Sequence, residues 1–238
     1  MKKITKYIPT IILTLLCSCS DYLDIVPDNV TTLDIVFNNR NTAERYLANC
    51  YHFVPDHGSV KRIPGMGAGH ECWFYTTNDS HFDNEVSFYI ARGLQNIDAP
   101  YANYWDGEGG SNLPMFRAIR ECNIFLDYVR DQHKVNDLTD SERKRWIAEV
   151  NVLKAYYHFF LFEHYGPIPI VDKALPVSTD PEGVKVTRMP VDQIVDYMVK
   201  LIDDSYKDLP PVITMEATEM GRLTQPAALA RKAKILLW

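Results

Sequence analysis

The stretch TDSERKRWIAEVNVLKAYYHFFLFEHYGP, residues 139–167, constrains this chain more than any other. Thr139 to Glu142 has the Thr-x-x-Glu form of a capping box, in which the hydroxyl and the carboxylate each satisfy an orphan backbone N–H at a helix start. Trp146, Val150, Leu153, Tyr157 and Phe160 then follow at alternating spacings of four and three, one apolar face of a helix. Gly166 tolerates the backbone of a helix end and Pro167 cannot continue a helix. The spacing predicts one long helix near 142–165.

Other segments repeat the pattern. Ala43, Tyr46, Leu47 and Cys50 fall at i, i+3, i+4 and i+7 and predict a helix from Thr42 to Phe53. Ser111 or Asn112 is the expected cap of a helix with Pro114 in its first turn, running to about Arg130. A further helix is expected from Pro190 to Tyr206, before Asp208-Leu209-Pro210-Pro211, and a last one from Thr224 with Pro226 in its first turn. Residues 54–112 are rich in glycine and aromatics with little periodicity, and read as long structured loops. Long loops in a compact domain usually carry function. The fold class is mostly α.

Charge excludes one class of partner. The chain is an ordinary folded one by composition, 46% apolar and 24% charged, but its formal charge is −6. That sign repels phosphate backbones, so no nucleic acid is expected as a partner. Aromatics are plentiful, with 14 Tyr, 10 Phe and 4 Trp, a supply that must serve either packing or binding.

The start of the chain reads as an export signal. Lys2, Lys3 and Lys6 precede the apolar run Ile8 to Leu16, which is too short to span a bilayer. Residues 1–18 are therefore expected to be a signal peptide, with 19–238 the mature region. Leu16-Cys17-Ser18-Cys19 resembles the bacterial lipobox, with Cys19 in the frame of the modified cysteine. That resemblance implies cleavage after Ser18 and a lipid (palmitate) on the Cys19 thiol, anchoring the protein to a membrane.

Cys50, Cys72 and Cys122 remain, an odd number at wide spacing, each read as a small buried hydrophobe. Metal and cofactor signals are weak. His158 and His164 lie six apart, off a common helix face. Asp79 to Glu85 begins like a calcium loop but lacks the glycine at its sixth place and the glutamate at its twelfth. Gly107 to Gly110 lacks the spacing and the Lys-Ser/Thr pair of a phosphate cradle. No cofactor is expected.

Four stretches in order carry a family resemblance: CSDYLD at 19–24, YWDGEGGSNLPMFRAIRECNIFLDYV at 104–129, AEVNVLKAYYHFFLFEHYGPIPIV at 148–171 and GRLTQPAALARKAKILLW at 221–238. Together they resemble the SusD/RagB family of outer-membrane nutrient-binding lipoproteins. The sequence departs from that pattern at Asn151 and Lys154, where arginine is common, and at Trp238, where the family runs on. The chain is thus expected to be the N-terminal part of a longer protein, ending inside an amphipathic helix.

The resemblance implies tetratricopeptide-like helix pairs, 113–130 with 142–165 and 190–206 with 224–238, stacked into one core. It implies glycan or oligosaccharide binding at the cell surface, and carbohydrate uptake through a TonB-dependent outer-membrane channel. Binding and not catalysis is the expected activity. The alternatives are a surface lipoprotein glycosidase, whose carboxylate separation only a fold can reveal, and a helical scaffold without a small ligand. Sugars present flat C–H faces and hydroxyls, so a site needs aromatic platforms beside amide and carboxylate groups. Residues 72–106 have that mixture, and Trp73, Tyr75, Asn78, Asp79 and Tyr101 are the candidate ligand contacts, with Asn103 and Tyr104 beside them. Trp105, Trp146, Tyr157 and Phe160 are assigned to packing.

Overall fold

The structure, a computed structural model, describes residues 32–58, 64–69, 86–176 and 182–238. It divides into two units, Met1–Val36 and Phe37–Trp238. The described element of the first is a single turn, Leu33–Val36, closed by the Val36 N–H on the Thr32 carbonyl at 3.1 Å.

Five longer helices build the second unit: α1 Arg40–His52, α2 Met115–Arg130, α3 Asp140–Tyr165, α4 Val191–Asp203 and α5 Gln225–Leu237. No strand occurs among the described residues. Helix α3 is the axis. Every residue from Ala148 to Phe162 is buried, so it is enclosed on all sides rather than along one stripe. It packs on α2, α4 and α1, and α5 packs on α4. Successive helices α2 and α3 form one pair, α4 and α5 another, and α3 against α4 joins the pairs. That is the expected tetratricopeptide-like stacking.

Local chemistry explains the ends of α3. Thr139 Oγ1 accepts the Glu142 N–H at 3.2 Å, and Glu142 Oε2 accepts the Thr139 N–H at 3.2 Å, which completes the capping box. At the far end Gly166 takes φ +65° and its N–H donates to the Phe162 carbonyl at 3.0 Å. Residues 168–172 then carry no regular secondary structure, where a strand-like run was expected. The Ile168 carbonyl in that run accepts the Met189 N–H at 2.9 Å.

The linker between α2 and α3 is held by one buried side chain. Arg143 donates to the carbonyls of Val129, Asp131, Lys134 and Val135 at 2.6–3.2 Å. The last turn of a helix leaves carbonyls without intrahelical partners, and this guanidinium takes that of Val129 together with three from the C-cap and linker. The start of α2 corrects one expectation. Pro114 is the N-cap, with no side-chain capping bond. Ser111 Oγ is used instead within the loop, donating to the Asn103 carbonyl at 2.8 Å.

Aromatic residues assigned to packing are in the core. Trp146 is 1% exposed and Tyr157 and Phe160 are 0%. Burying such a side chain contributes roughly 1.5–3 kcal/mol, so these three positions hold α3 among its neighbours. Cys50 and Cys122 are buried, unpaired thiols, as small hydrophobes would be. Cys19 and Cys72 lie outside the described residues.

Candidate functional site

Glu149 and Lys154 are buried charges of α3. Glu149 is fully buried on α3 and accepts from four donors: Arg145 Nε at 2.9 Å, Arg222 Nη2 at 2.9 Å, Arg222 Nε at 3.2 Å and the Tyr51 hydroxyl at 2.7 Å. Its oxygens are saturated, so it is a structural counter-ion and has no lone pair poised for acid–base work. Arg222 comes from the GRLT stretch and Glu149 from the AEVN stretch. Two of the recognisable sequence motifs are thus the two halves of one buried ion pair.

Lys154 is the second buried charge. Its ammonium donates to Asp172 Oδ1 at 2.7 Å and to the Asp172 carbonyl at 3.0 Å. Burial lowers the Lys154 pKa, partly offset by the Asp172 carboxylate. Burial raises Asp172, but hydrogen bonds from Lys154 and Tyr197 outweigh it and leave that carboxyl below its usual range. Asn151, the other departure from the family pattern, donates to Ser205 Oγ at 2.9 Å and accepts from Arg130 at 3.3 Å. Both departures are therefore satisfied inside the helix stack.

A larger cleft of about 610 Å³ runs along the outer face of α1 and is lined by Glu44, Arg45, Tyr51, Met220 and Arg222 among others. Two of its polar groups, Tyr51 and Arg222, are engaged by Glu149. Glu44 pairs with Arg40 at 3.1 Å.

The loop face at the C-terminal end of α3 differs, because here aromatic surface is left uncovered. A short helix, Val86–Ala91, buries Val86, Ser87 and Phe88 and leaves Tyr89 half-exposed. Gly93 at φ +73° turns the chain back. Gln95 then clamps the Tyr101 backbone from both sides, accepting its N–H at 2.6 Å and donating to its carbonyl at 2.9 Å. The loop between them is closed by the Ala99 N–H on Asn96 Oδ1 at 2.7 Å. Tyr101 stacks on Tyr89 with centroids 4.7 Å apart and planes 17° from parallel. The pair forms a half-exposed aromatic shelf.

Gly109 makes that shelf possible. A side chain there would place its Cβ 2.0 Å from the Pro100 carbonyl oxygen, and the backbone already sits at φ +60°. The Ala102 N–H donates to the Gly109 carbonyl at 3.0 Å, tying the shelf to the loop that precedes α2. Beside the shelf lies a pocket of about 170 Å³ lined by Pro64, Gln95, Tyr101, Tyr104, His164 and Tyr165 among others.

Of the five candidate ligand contacts, Tyr101 is in this shelf. Trp73, Tyr75, Asn78 and Asp79 lie outside the described residues. Two neighbours prove structural. Tyr104 is 1% exposed, wedged edge-on against Phe160 at 4.9 Å and His164 at 4.7 Å. The Asn103 amide oxygen accepts the Trp105 N–H at 3.1 Å within the turn. Trp105 departs from the core assignment, being half-buried. Sequence reasoning missed Tyr89 and Gln95, since neither a stacked partner twelve positions upstream nor an amide clamp has a linear pattern. Among the described residues no cluster of three metal-ligating side chains forms, and no helix is long and apolar enough to cross a membrane.

Residues 21–237 match the model of a family named SusD-like 3, described as starch-binding and associating with the outer membrane. Among solved structures, the fold is similar to a SusD-like protein from Bacteroides fragilis, with TM-score 0.65 and 18% identity over 88% of this chain and 37% of that one. It is similar to a laminarin-binding SusD-like protein, with TM-score 0.63 and 18% identity over 84% of this chain and 40% of that one. A third is surface glycan-binding protein A from Bacteroides thetaiotaomicron in complex with laminarihexaose, with TM-score 0.58 and 18% identity over 84% of this chain and 39% of that one. This chain spans about two-fifths of the length of these structures. Comparison with curated protein sequences gave no match.

Proposed function

This chain belongs to the SusD-like family, and on that premise we propose that it binds oligosaccharide at the shelf formed by Tyr89 and Tyr101. The observation that carries the reading is the clamp. Gln95 fixes the Tyr101 backbone through two hydrogen bonds while the ring stays half-exposed beside a pocket. A rigid aromatic face with an amide at its edge meets both demands of a sugar ring, a surface for the C–H face and partners for hydroxyls. Structural neighbours that carry laminarin or laminarihexaose in their descriptions support the choice of ligand class.

In this reading Trp73, Tyr75, Asn78 and Asp79 remain candidate ligand contacts, with aromatic and hydrogen-bonding groups of the kind a sugar needs. Residues 1–18 are a signal peptide, Cys19 carries the lipid, and the protein sits on the outer-membrane surface. It hands its ligand to a TonB-dependent channel and performs no chemistry of its own. The family's association with the outer membrane supports that location.

Calorimetry of the purified protein against neutral laminari-, malto- and xylo-oligosaccharides tests the site. Binding without cleavage is expected, and Tyr101→Ala should weaken it by roughly 1 kcal/mol or more, the scale of a used aromatic contact. Cleavage of any oligosaccharide would favour a glycosidase. Unchanged affinity in both Tyr101→Ala and Tyr89→Ala, with helicity intact, would remove the shelf from the site.

A further inference from the structure

A second cleft lies beside Trp105, on residues the proposed shelf does not use. It has a volume of about 230 Å³, with Trp105 and Phe116 in its lining, their centroids 4.6 Å apart. Leu175 and Val186 add aliphatic surface. Its charged lining has one sign. Arg120 and Lys173 line it, and the Arg188 guanidinium lies over the Trp105 ring at 5.3 Å. No carboxylate is in its lining among the described residues. The acid beside Lys173 in sequence, Asp172, has its Oδ1 occupied by Lys154 and Tyr197.

The two arginines are held in place by backbone. Arg120 Nη1 donates to the Leu175 carbonyl, and Arg188 Nη1 to the carbonyls of Tyr165 and Pro167 at 3.4 and 2.8 Å. A guanidinium has five N–H donors, so each retains donors beyond these. Lys173 is exposed and makes no ion pair among the described residues. Fixed guanidiniums are the groups that recognise carboxylates in a bidentate way. An aromatic wall is the surface that takes the flat face of a pyranose. At 230 Å³ the cleft is below the roughly 300–1,000 Å³ of drug-sized sites, so it takes one ring at a time.

We propose that this cleft is a second carbohydrate subsite, selective for a sugar unit that carries a carboxylate, a uronic acid residue. The inference rests on the glycan-binding reading above and names the class of glycan. The net charge of −6 does not oppose it at contact distance. Charges farther than about 8 Å are screened at physiological ionic strength, and the described charges that line the cleft or lie over Trp105 are Arg120, Lys173 and Arg188.

The test compares trigalacturonate with the same trimer methyl-esterified, which keeps the shape and removes the charge. Calorimetry on the purified protein should show the charged trimer bound at least ten-fold tighter, with affinity falling as sodium chloride is raised. Lys173→Glu should weaken it ten-fold or more without changing the affinity of any neutral oligosaccharide held at Tyr101. Equal affinity for the two trimers, or unaltered trigalacturonate binding in Lys173→Glu, would overturn the subsite. Galactose 6-sulfate bound more tightly than galacturonate would overturn the carboxylate assignment in favour of a sulfated sugar. Neutral binding that Tyr101→Ala weakens, with no uronate binding at all, would overturn this inference alone and leave the proposed function standing.

Discussion

His158 shows how far a side chain's chemistry is set by where the helix stack puts it. Its ring is fully buried, Nδ1 donates to the Lys154 carbonyl at 2.8 Å, and Nε2 accepts the Val171 N–H at 3.4 Å. The second contact needs the neutral ring, since an imidazolium has no lone pair at Nε2. Burial, with the Lys154 charge adding to it, pushes its pKa down to about 4 from 6.5. The unfolded chain therefore binds a proton that the folded chain refuses between those values. Stability from this group is complete above pH 6.5 and is lost as pH falls toward 4, by about 3 kcal/mol in all. Urea unfolding followed from pH 7 to pH 4 should show that slope, and His158→Leu should flatten it whatever its effect at pH 7. Glu149→Gln is expected to cost about 1–3 kcal/mol, because it removes the buried charge that accepts from Arg145, Arg222 and Tyr51, while Glu219 and Glu44 still pair with the two half-buried guanidiniums. A thermal melt indistinguishable from that of the natural protein would refute the role given to this carboxylate. The sequence made Glu149 and Arg222 recognisable as family marks but not as partners, since the 72 positions between them are crossed only by the folding of the helices.

Among elements, α3 was the most legible, and for local reasons. Thr139, Glu142, Gly166 and Pro167 act within a few residues of themselves, so their spacing in the sequence is their geometry in space. Thr139→Ala should cost about 1 kcal/mol, measured as a shift in urea midpoint with unchanged slope. The start of α2 was misread for the opposite reason. Ser111 has a capping residue's chemistry but spends its hydroxyl on Asn103, eight residues back, a pairing that only the closed loop creates. The depth of α3 was also beyond the pattern. A stripe spaced four and three apart predicts one buried face, whereas the second helix pair covers the other. The aromatic shelf was half legible: composition pointed to the loop region and to Tyr101, while Tyr89 and Gln95 emerged only from contact. Gly109→Ala should disturb this loop more than any cap does, because its methyl group has no room against the Pro100 carbonyl. Loss of the Tyr101 contribution to oligosaccharide affinity in that variant, with the helical signal unchanged, is the expected result.

For the whole molecule, the proposed delivery to a channel is tested at the chain's start and at the proposed partner. Cys19→Ala should leave the precursor uncleaved and release the protein from membrane fractions. Palmitate labelling that persists in that variant would move the tether elsewhere. A channel partner held persistently needs an interface on the order of 2,000 Å² or more, which tagged protein should retain through affinity purification. The clamp on Tyr101 has a further consequence, in evolutionary time. Gln95 holds position 101 by its main chain alone, and the side chain there contributes nothing to the loop's hydrogen bonding. Exchange of tyrosine for tryptophan, phenylalanine or histidine at that place keeps both backbone hydrogen bonds and alters the stack on Tyr89 and the face offered to the proposed ligand. On the proposed function, a lineage carrying this loop can thus change its choice of sugar by single substitutions at one position, while selection for folding acts on its neighbour six residues upstream.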